Sequence, residues 1–274
     1  MSSFTMGPAI LFCPADRPDR YAKALDRADA VILDLEDAVA PQNKQAARQA
    51  LVANPMDPER TIVRVNPVST PDFAADMTAL QQTNYRTIML AKTETPDQLE
   101  AVADFKVVAL CETALGILNA QQIAAAGNVV ALMWGAEDLV ASLGGSSSRK
   151  ASGTYRDISR HARSHVLLAA GAYSKVAIDS VYIDIADHAG LLGESVDAQA
   201  SGFGAKASIH PAQMPIIRQA FIPGTDEVAR AHRLLEAAKN ASGVFTFEGQ
   251  MADEPLLRHA RATLARHAST TTTH

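Results

Sequence analysis

Aromatic residues are scarce in this chain of 274 residues: they make up 5%, and Trp134 is the only tryptophan. Hydrophobic residues nevertheless reach 47%. Ala, Val, Leu and Ile must therefore build the core, as the interior of a parallel sheet requires. Cysteine is nearly absent. Cys13 and Cys111 form neither a metal-type cluster nor a disulfide framework, which points to a reducing, cytoplasmic setting. No apolar run approaches the ~20 residues of a membrane-spanning helix. The start has no basic segment ahead of its short apolar stretch, which speaks against a secretory signal. An excess of positive charge is also lacking. The net charge of −5 argues against nucleic-acid binding as the main activity, because such proteins usually show a basic face. Small anionic ligands stay open, since they need only a few local cations.

What is present is an alternation. Short apolar runs span 9–13, 30–37, 61–66, 87–92, 107–113, 129–135, 175–179 (with 181–184 as a continuation) and 205–210. Between and after them lie amphipathic helical patterns at 18–28, 43–53, 71–83, 96–103, 116–126, 155–172, 191–202 and 211–221. This strand–helix repetition predicts an α/β fold, a TIM (β/α)8 barrel. The runs show little polar alternation until their last residues, as strands buried on both faces do. A doubly wound sheet is the alternative, but its glycine-rich fingerprint is missing after the first run. The barrel is expected over 1–222 and a C-terminal helical extension or lid over 223–274, with helices near 225–240 and 255–267 and a polar, disordered end.

The runs end in charge. Their C-terminal ends carry Asp34, Glu36 and Asp37; Arg64 and Asn66; Lys92; Glu112; Glu137 and Asp138; Asp179 and Asp184; and Lys206, Ser208 and His210. In a barrel this is where active sites form. Glu112 and Asp138 follow adjacent strands ~4.8 Å apart, so both carboxylates can reach one cation. All-oxygen ligands suit Mg²⁺ or Mn²⁺; helix capping or pairing with Arg or Lys is the other reading. Arg64 offers a fork to a carboxylate or a developing oxyanion, or else a salt bridge to Asp34, Glu36 or Glu112. Lys44 and Arg48, an i, i+4 pair, could hold phosphates or form a solvated face. Gly144–Lys150 reads as a polar surface loop and is no Walker motif.

Six of these segments occur in a familiar order: Pro14-Ala-Asp-Arg-Pro18, Leu33-Asp-Leu-Glu-Asp37, Arg64-Val-Asn66, Cys111-Glu-Thr-Ala114, Gly135-Ala-Glu-Asp-Leu139 and Ile209-His-Pro-Ala-Gln213. Together they resemble the HpcH/HpaI aldolase and citrate lyase β-subunit family, in particular its stand-alone citrate lyase β-subunit-like members. The resemblance implies a TIM barrel assembled as a homotrimer. It implies Mg²⁺-dependent cleavage or formation of a carbon–carbon bond in a 3-hydroxyacyl-CoA thioester of malyl, citramalyl or hydroxymethylglutaryl type. A citrate lyase β subunit acting on a citryl-acyl-carrier-protein thioester, and a non-catalytic assembly subunit, are the alternatives. The resemblance makes Glu112 and Asp138 the metal ligands and Arg64 a catalytic contact to the keto-acid oxygen. It gives the carboxylate of the keto acid to the segment Gly135, Ala136, Glu137 and Asp138. Glu36 joins the catalytic candidates. Gly249-Gln-Met-Ala-Asp253-Glu-Pro255 resembles a lid segment whose aspartate serves a neighbouring subunit, which makes Asp253 the candidate acid/base. For coenzyme A the resemblance points to Pro14, Arg17, Asp37, Lys44, Arg48 and His210. No nucleic acid or membrane partner is implied.

Overall fold

The structure is a computed structural model and describes residues 4–239, 241 and 243–271. Eight parallel strands close into a barrel in chain order. They are β1 (Ala9–Pro14), β2 (Ala30–Asp34), β3 (Thr61–Val65), β4 (Thr87–Leu90), β5 (Lys106–Cys111), β6 (Val129–Trp134), β7 (Val176–Asp179) and β8 (Ala205–Ser208). Closure comes from β1, where Ile10 lies opposite Ala30 of β2 on one side and Ala207 of β8 on the other.

Side chains alternate across each strand. Ile10, Ile32, Ile62, Met89, Leu110 and Met133 face inward and pack as one buried cluster that fills the barrel. The same parity carries Phe12, Asp34, Arg64 and Glu112 along the inward rows to the C-terminal mouth. The opposite parity turns Trp134, Asp179 and Lys206 outward, beneath the helical layer, where all three are fully buried.

Three departures from the expected pattern bear on the site. The run 129–135 is followed at once by a helix, Ala136–Ser142, where no helical pattern is expected between 126 and 155. The expected helix 116–126 is two short helices, Ala114–Leu118 and Ala120–Ala125, broken at Asn119. The continuation 181–184 is no strand: β7 ends at Asp179, and its pairing with β6 and β8 stops at Ile178 and Asp179.

The chain divides into two compact units, one ending at Arg218 and the other beginning at Gln219. The second has its own small core of Ala231, Leu234, Ala252 and Ala260. Its helices Thr225–Ala238 and Glu254–Thr271 flank an antiparallel hairpin of β9 (Phe245–Phe247) and β10 (Gln250–Ala252). The two-residue tip has Glu248 at φ 49° and Gly249 at φ 77°, the positive pair that a type I′ turn requires. The tail beyond Thr271, within the end expected to be disordered, lies outside the described residues. Among the described residues, no helix is long and apolar enough to cross a membrane.

Candidate active site

Strand register sets up the first contact. Asp34 of β2 lies opposite Arg64 of β3. The Arg64 guanidinium donates through Nε and Nη2 to the two oxygens of Asp34, at 2.7 and 2.5 Å. It also lies 3.0 Å from Glu36 and sits over the Phe12 ring at 4.9 Å. Asp34 in turn accepts the backbone N–H groups of Glu36 and Ala38, so one carboxylate shapes the turn after β2 and aims the arginine. Burial is the largest influence and works against the charge of Arg64, but Asp34, Glu36 and Glu112 together overcome it and the group stays firmly protonated. Of the alternatives open for Arg64, ion pairing to Asp34 and Glu36 is thus present, at the mouth where a substrate oxygen would arrive.

Glu112 follows β5 and is 2% exposed. One oxygen accepts the backbone N–H of Lys92 at 3.0 Å. Lys92 reaches that position in the left-handed region, at φ 50°. Its ammonium pairs closely with Glu36, lies 3.1 Å from Asp37, and lies 3.9 Å from Asp138. Gly135 makes room for Glu112: a Cβ at 135 would stand 2.7 Å from the Glu112 Cβ and 2.9 Å from a carboxylate oxygen. Burial first, and the charge of Asp138 second, push the Glu112 carboxyl up to about 8.

This mouth is short of positive charge. Asp34, Glu36, Asp37, Glu112 and Asp138 are met by Arg64 and Lys92. A divalent cation would relieve the repulsion that raises Glu112. Among the described residues, no group of three His, Cys, Asp or Glu is placed to hold a metal. Two carboxylates completed by water and substrate is how Mg²⁺ is commonly bound, so Glu112 and Asp138 fit that ion.

The remaining candidates fall into separate places. Ala136 donates its N–H to the Ser180 hydroxyl at 3.3 Å. The Glu137 carboxylate is turned to the Ser148 hydroxyl, at 2.5 Å. Pro14 ends β1, and exposed Arg17 pairs with Asp19 at 2.9 Å. His210 caps the turn that follows β8, its Nδ1 accepting the Ala212 N–H. Asp253 belongs to the second unit, where it accepts the Leu256 N–H at the start of the last helix.

Lys44 and Arg48 do not stand as free phosphate-binding cations. The Lys44 ammonium donates to Leu35 O, Glu36 O and Asn66 Oδ1. Arg48 is locked to Asp72 and Asp76 on the helix Pro71–Leu80. Both are partly buried and brace the helical layer, which a reading of the i, i+4 spacing could not foresee because their partners come from other elements.

Sequence reasoning counted Lys92 among the strand-end charges but gave it no role, although it anchors both Glu36 and Glu112. The serine-rich segment after Leu143 is not an unanchored loop either. Ser148 is buried, and Arg149 stacks on Tyr155 at 3.8 Å and Tyr182 at 4.8 Å while pairing with Glu194 at 2.8 Å.

The arrangement has relatives. The family model described as HpcH/HpaI aldolase/citrate lyase matches residues 9–211. The chain belongs to this family. A citrate lyase subunit β-like protein of Mycobacterium tuberculosis is 52% identical over 265 residues, 97% of each chain. The mitochondrial citramalyl-CoA lyase of Homo sapiens is 33% identical over 93% of this chain and 84% of its own. The crystal structure of the Mycobacterium tuberculosis protein CitE in complex with magnesium, acetoacetate and coenzyme A superposes with a TM-score of 0.93 at 52% identity, covering 97% of this chain and 99% of that one. The family's description and the names of these relatives are those of lyases, and this chain is a lyase of the family.

Proposed function

We propose that the chain is a Mg²⁺-dependent carbon–carbon lyase, with Mn²⁺ able to substitute. Its substrate is a 3-hydroxyacyl-CoA thioester of malyl, citramalyl or hydroxymethylglutaryl type, cleaved to acetyl- or acyl-CoA and a keto acid. The observation that carries this is the buried Glu112 beside Asp138, at the same barrel mouth as the Arg64 fork. The relative bound to magnesium, a keto acid and coenzyme A supports it.

Glu112 and Asp138 would hold the metal, which when bound supplies Lewis-acid polarisation of the substrate oxygen. Arg64 has five N–H donors; Asp34 fixes two of them and the plane of the group. Glu36 lies against a third, and the donors left over meet the oxygen on which charge develops. Ala136 gives its N–H to Ser180, so in the first turn of helix Ala136–Ser142 the N–H groups of Glu137 and Asp138 are the ones offered to the keto-acid carboxylate, because they lack helical acceptors. In cleavage a base takes the hydroxyl proton and the C2–C3 bond breaks. Its electron pair passes to the thioester enolate, which takes up a proton at C2. Asp253 of a neighbouring copy in a homotrimer is the candidate for that proton traffic, with Glu36, held between Arg64 and Lys92, as the second candidate. Arg17, Pro14, Asp37 and His210 form the candidate rim for coenzyme A.

The test is turnover of malyl-, citramalyl- and hydroxymethylglutaryl-CoA by purified protein with Mg²⁺, read as released keto acid. Glu112→Ala abolishes it if the reading is right. Mixing Glu112→Ala and Asp253→Ala proteins restores part of it if sites are shared between copies. No turnover of any of the three thioesters, or activity confined to a citryl-acyl-carrier-protein, refutes the reading.

A further inference from the structure

The outward side of β7 and β8 carries a buried charge cluster that the reaction does not use. Lys206 and Asp179, both fully buried, meet at 3.0 Å. The Lys206 ammonium also donates to Glu194 at 2.9 Å and to the carbonyl of Ser180 at 2.7 Å. Arg163 closes the inner side on Asp179, and Trp134 donates its indole N–H to the same carboxylate at 2.7 Å. Arg149 closes the outer side, pairing with Glu194 between the rings of Tyr155 and Tyr182.

Two hydrogen bonds lead from this cluster to the turn that bears Asp138. Ser180, gripped through its carbonyl by Lys206, accepts the N–H of Ala136 on its hydroxyl. Ser148, next to Arg149, donates to the carboxylate of Glu137. Ser148 is 1% exposed, and its carbonyl is itself fixed by the Arg156 N–H and the Ser159 hydroxyl. Residues 136 and 137 are thus held from two sides, immediately before the proposed metal ligand.

We propose that Ser148 and Arg149 are positioning residues that tie the serine-rich segment to the Gly135–Asp138 turn and so set the affinity of the site for its divalent cation. The proposal rests on the metal-site reading above. Groups behind metal ligands typically govern affinity by 10- to 100-fold. Removing the Ser148 hydroxyl releases the Glu137 side chain and the turn beneath it, without touching Glu112 or Asp138.

The experiment is Mn²⁺ titration of the metal-free protein, followed by electron paramagnetic resonance of the free ion, alongside thermal melting. Wild type binds, and Glu112→Ala does not. Ser148→Ala binds about tenfold more weakly, while Ser148→Thr, which keeps the hydroxyl, returns towards wild type. Ser148→Ala and Glu137→Ala together are no worse than either alone, because both remove one contact. Arg149→Met weakens binding in the same direction. Wild-type Mn²⁺ affinity in Ser148→Ala, or additive losses in the double variant, overturns the proposal while leaving the metal site standing. Equal Mn²⁺ binding by wild type and Glu112→Ala, or none by wild type, overturns both.

Discussion

Gly135→Ala isolates the role of space beside Glu112. The backbone at Gly135, φ −115° and ψ 117°, is an ordinary extended conformation, so alanine brings no dihedral strain. What it brings is a methyl group 2.7 Å from the Glu112 Cβ and 2.9 Å from its carboxylate oxygen. Carbon atoms settle at ~3.5 Å or more, so Glu112 must retreat by roughly 0.8 Å or the strand ends must part. Overpacking of this kind costs about 1–3 kcal/mol of stability. A misplacement near 1 Å at a reacting group costs on the order of 100-fold in rate. The expected outcome is a protein that still folds, with a modestly lower melting temperature and turnover reduced ten- to a hundredfold (about 1.4–2.7 kcal/mol). Turnover of the wild-type substrate, Mn²⁺ affinity and thermal melting measure the three. Turnover and metal affinity both within twofold of wild type would refute the argument that Gly135 is there for Glu112.

Further outcomes follow from other parts of the mouth. Metal affinity should fall about tenfold per pH unit below about pH 8, because the Glu112 carboxyl, raised to about 8 by burial and Asp138, must lose its proton to bind; Mn²⁺ titration at several pH values checks this. In the metal-free protein Glu112 keeps a proton that the unfolded chain loses near the ordinary glutamate value of 4.5. Its contribution to stability is therefore lost as pH rises through about 8, and melting of metal-free protein across that window should show the decline. Lys206→Met removes one ion-pair partner of the buried Asp179 and leaves Arg163, and should destabilise the fold by about 3–5 kcal/mol in urea unfolding. Arg64→Lys keeps the charge but loses the two-pronged contact to Asp34. It should reduce kcat about 100-fold or more; unchanged kcat counts against Arg64 as the oxyanion donor.

The barrel was legible in the sequence because its strands are apolar throughout and end in charge, as at Asp34, Arg64 and Glu112. The same cue singled out Glu112 and Asp138 as the candidate pair. Elements were less legible where they are short. The residues after Gly135 are too few to show a helical period, yet they form the helix Ala136–Ser142. Side-chain direction was not legible at all. Lys44 and Arg48 look like surface cations until Asn66, Asp72 and Asp76 arrive from elsewhere in the chain. Nothing local marks Lys92 for a left-handed backbone, and nothing in Gly144–Lys150 announces that Ser148 is buried against Glu137.

The grip of Asp34 on Arg64 has a thermodynamic consequence for whatever binds there. A free arginine side chain carries about 2 kcal/mol of rotamer entropy, and a ligand that orders it must meet that cost. Here Asp34 and the Phe12 ring immobilise the guanidinium during folding, so the cost is charged to the protein's stability rather than to complex formation. A small keto acid, with few atoms to contribute contacts, then meets a donor already ordered. Asp34→Ala should accordingly appear in calorimetry as a less favourable binding entropy, even where the arginine still reaches its ligand.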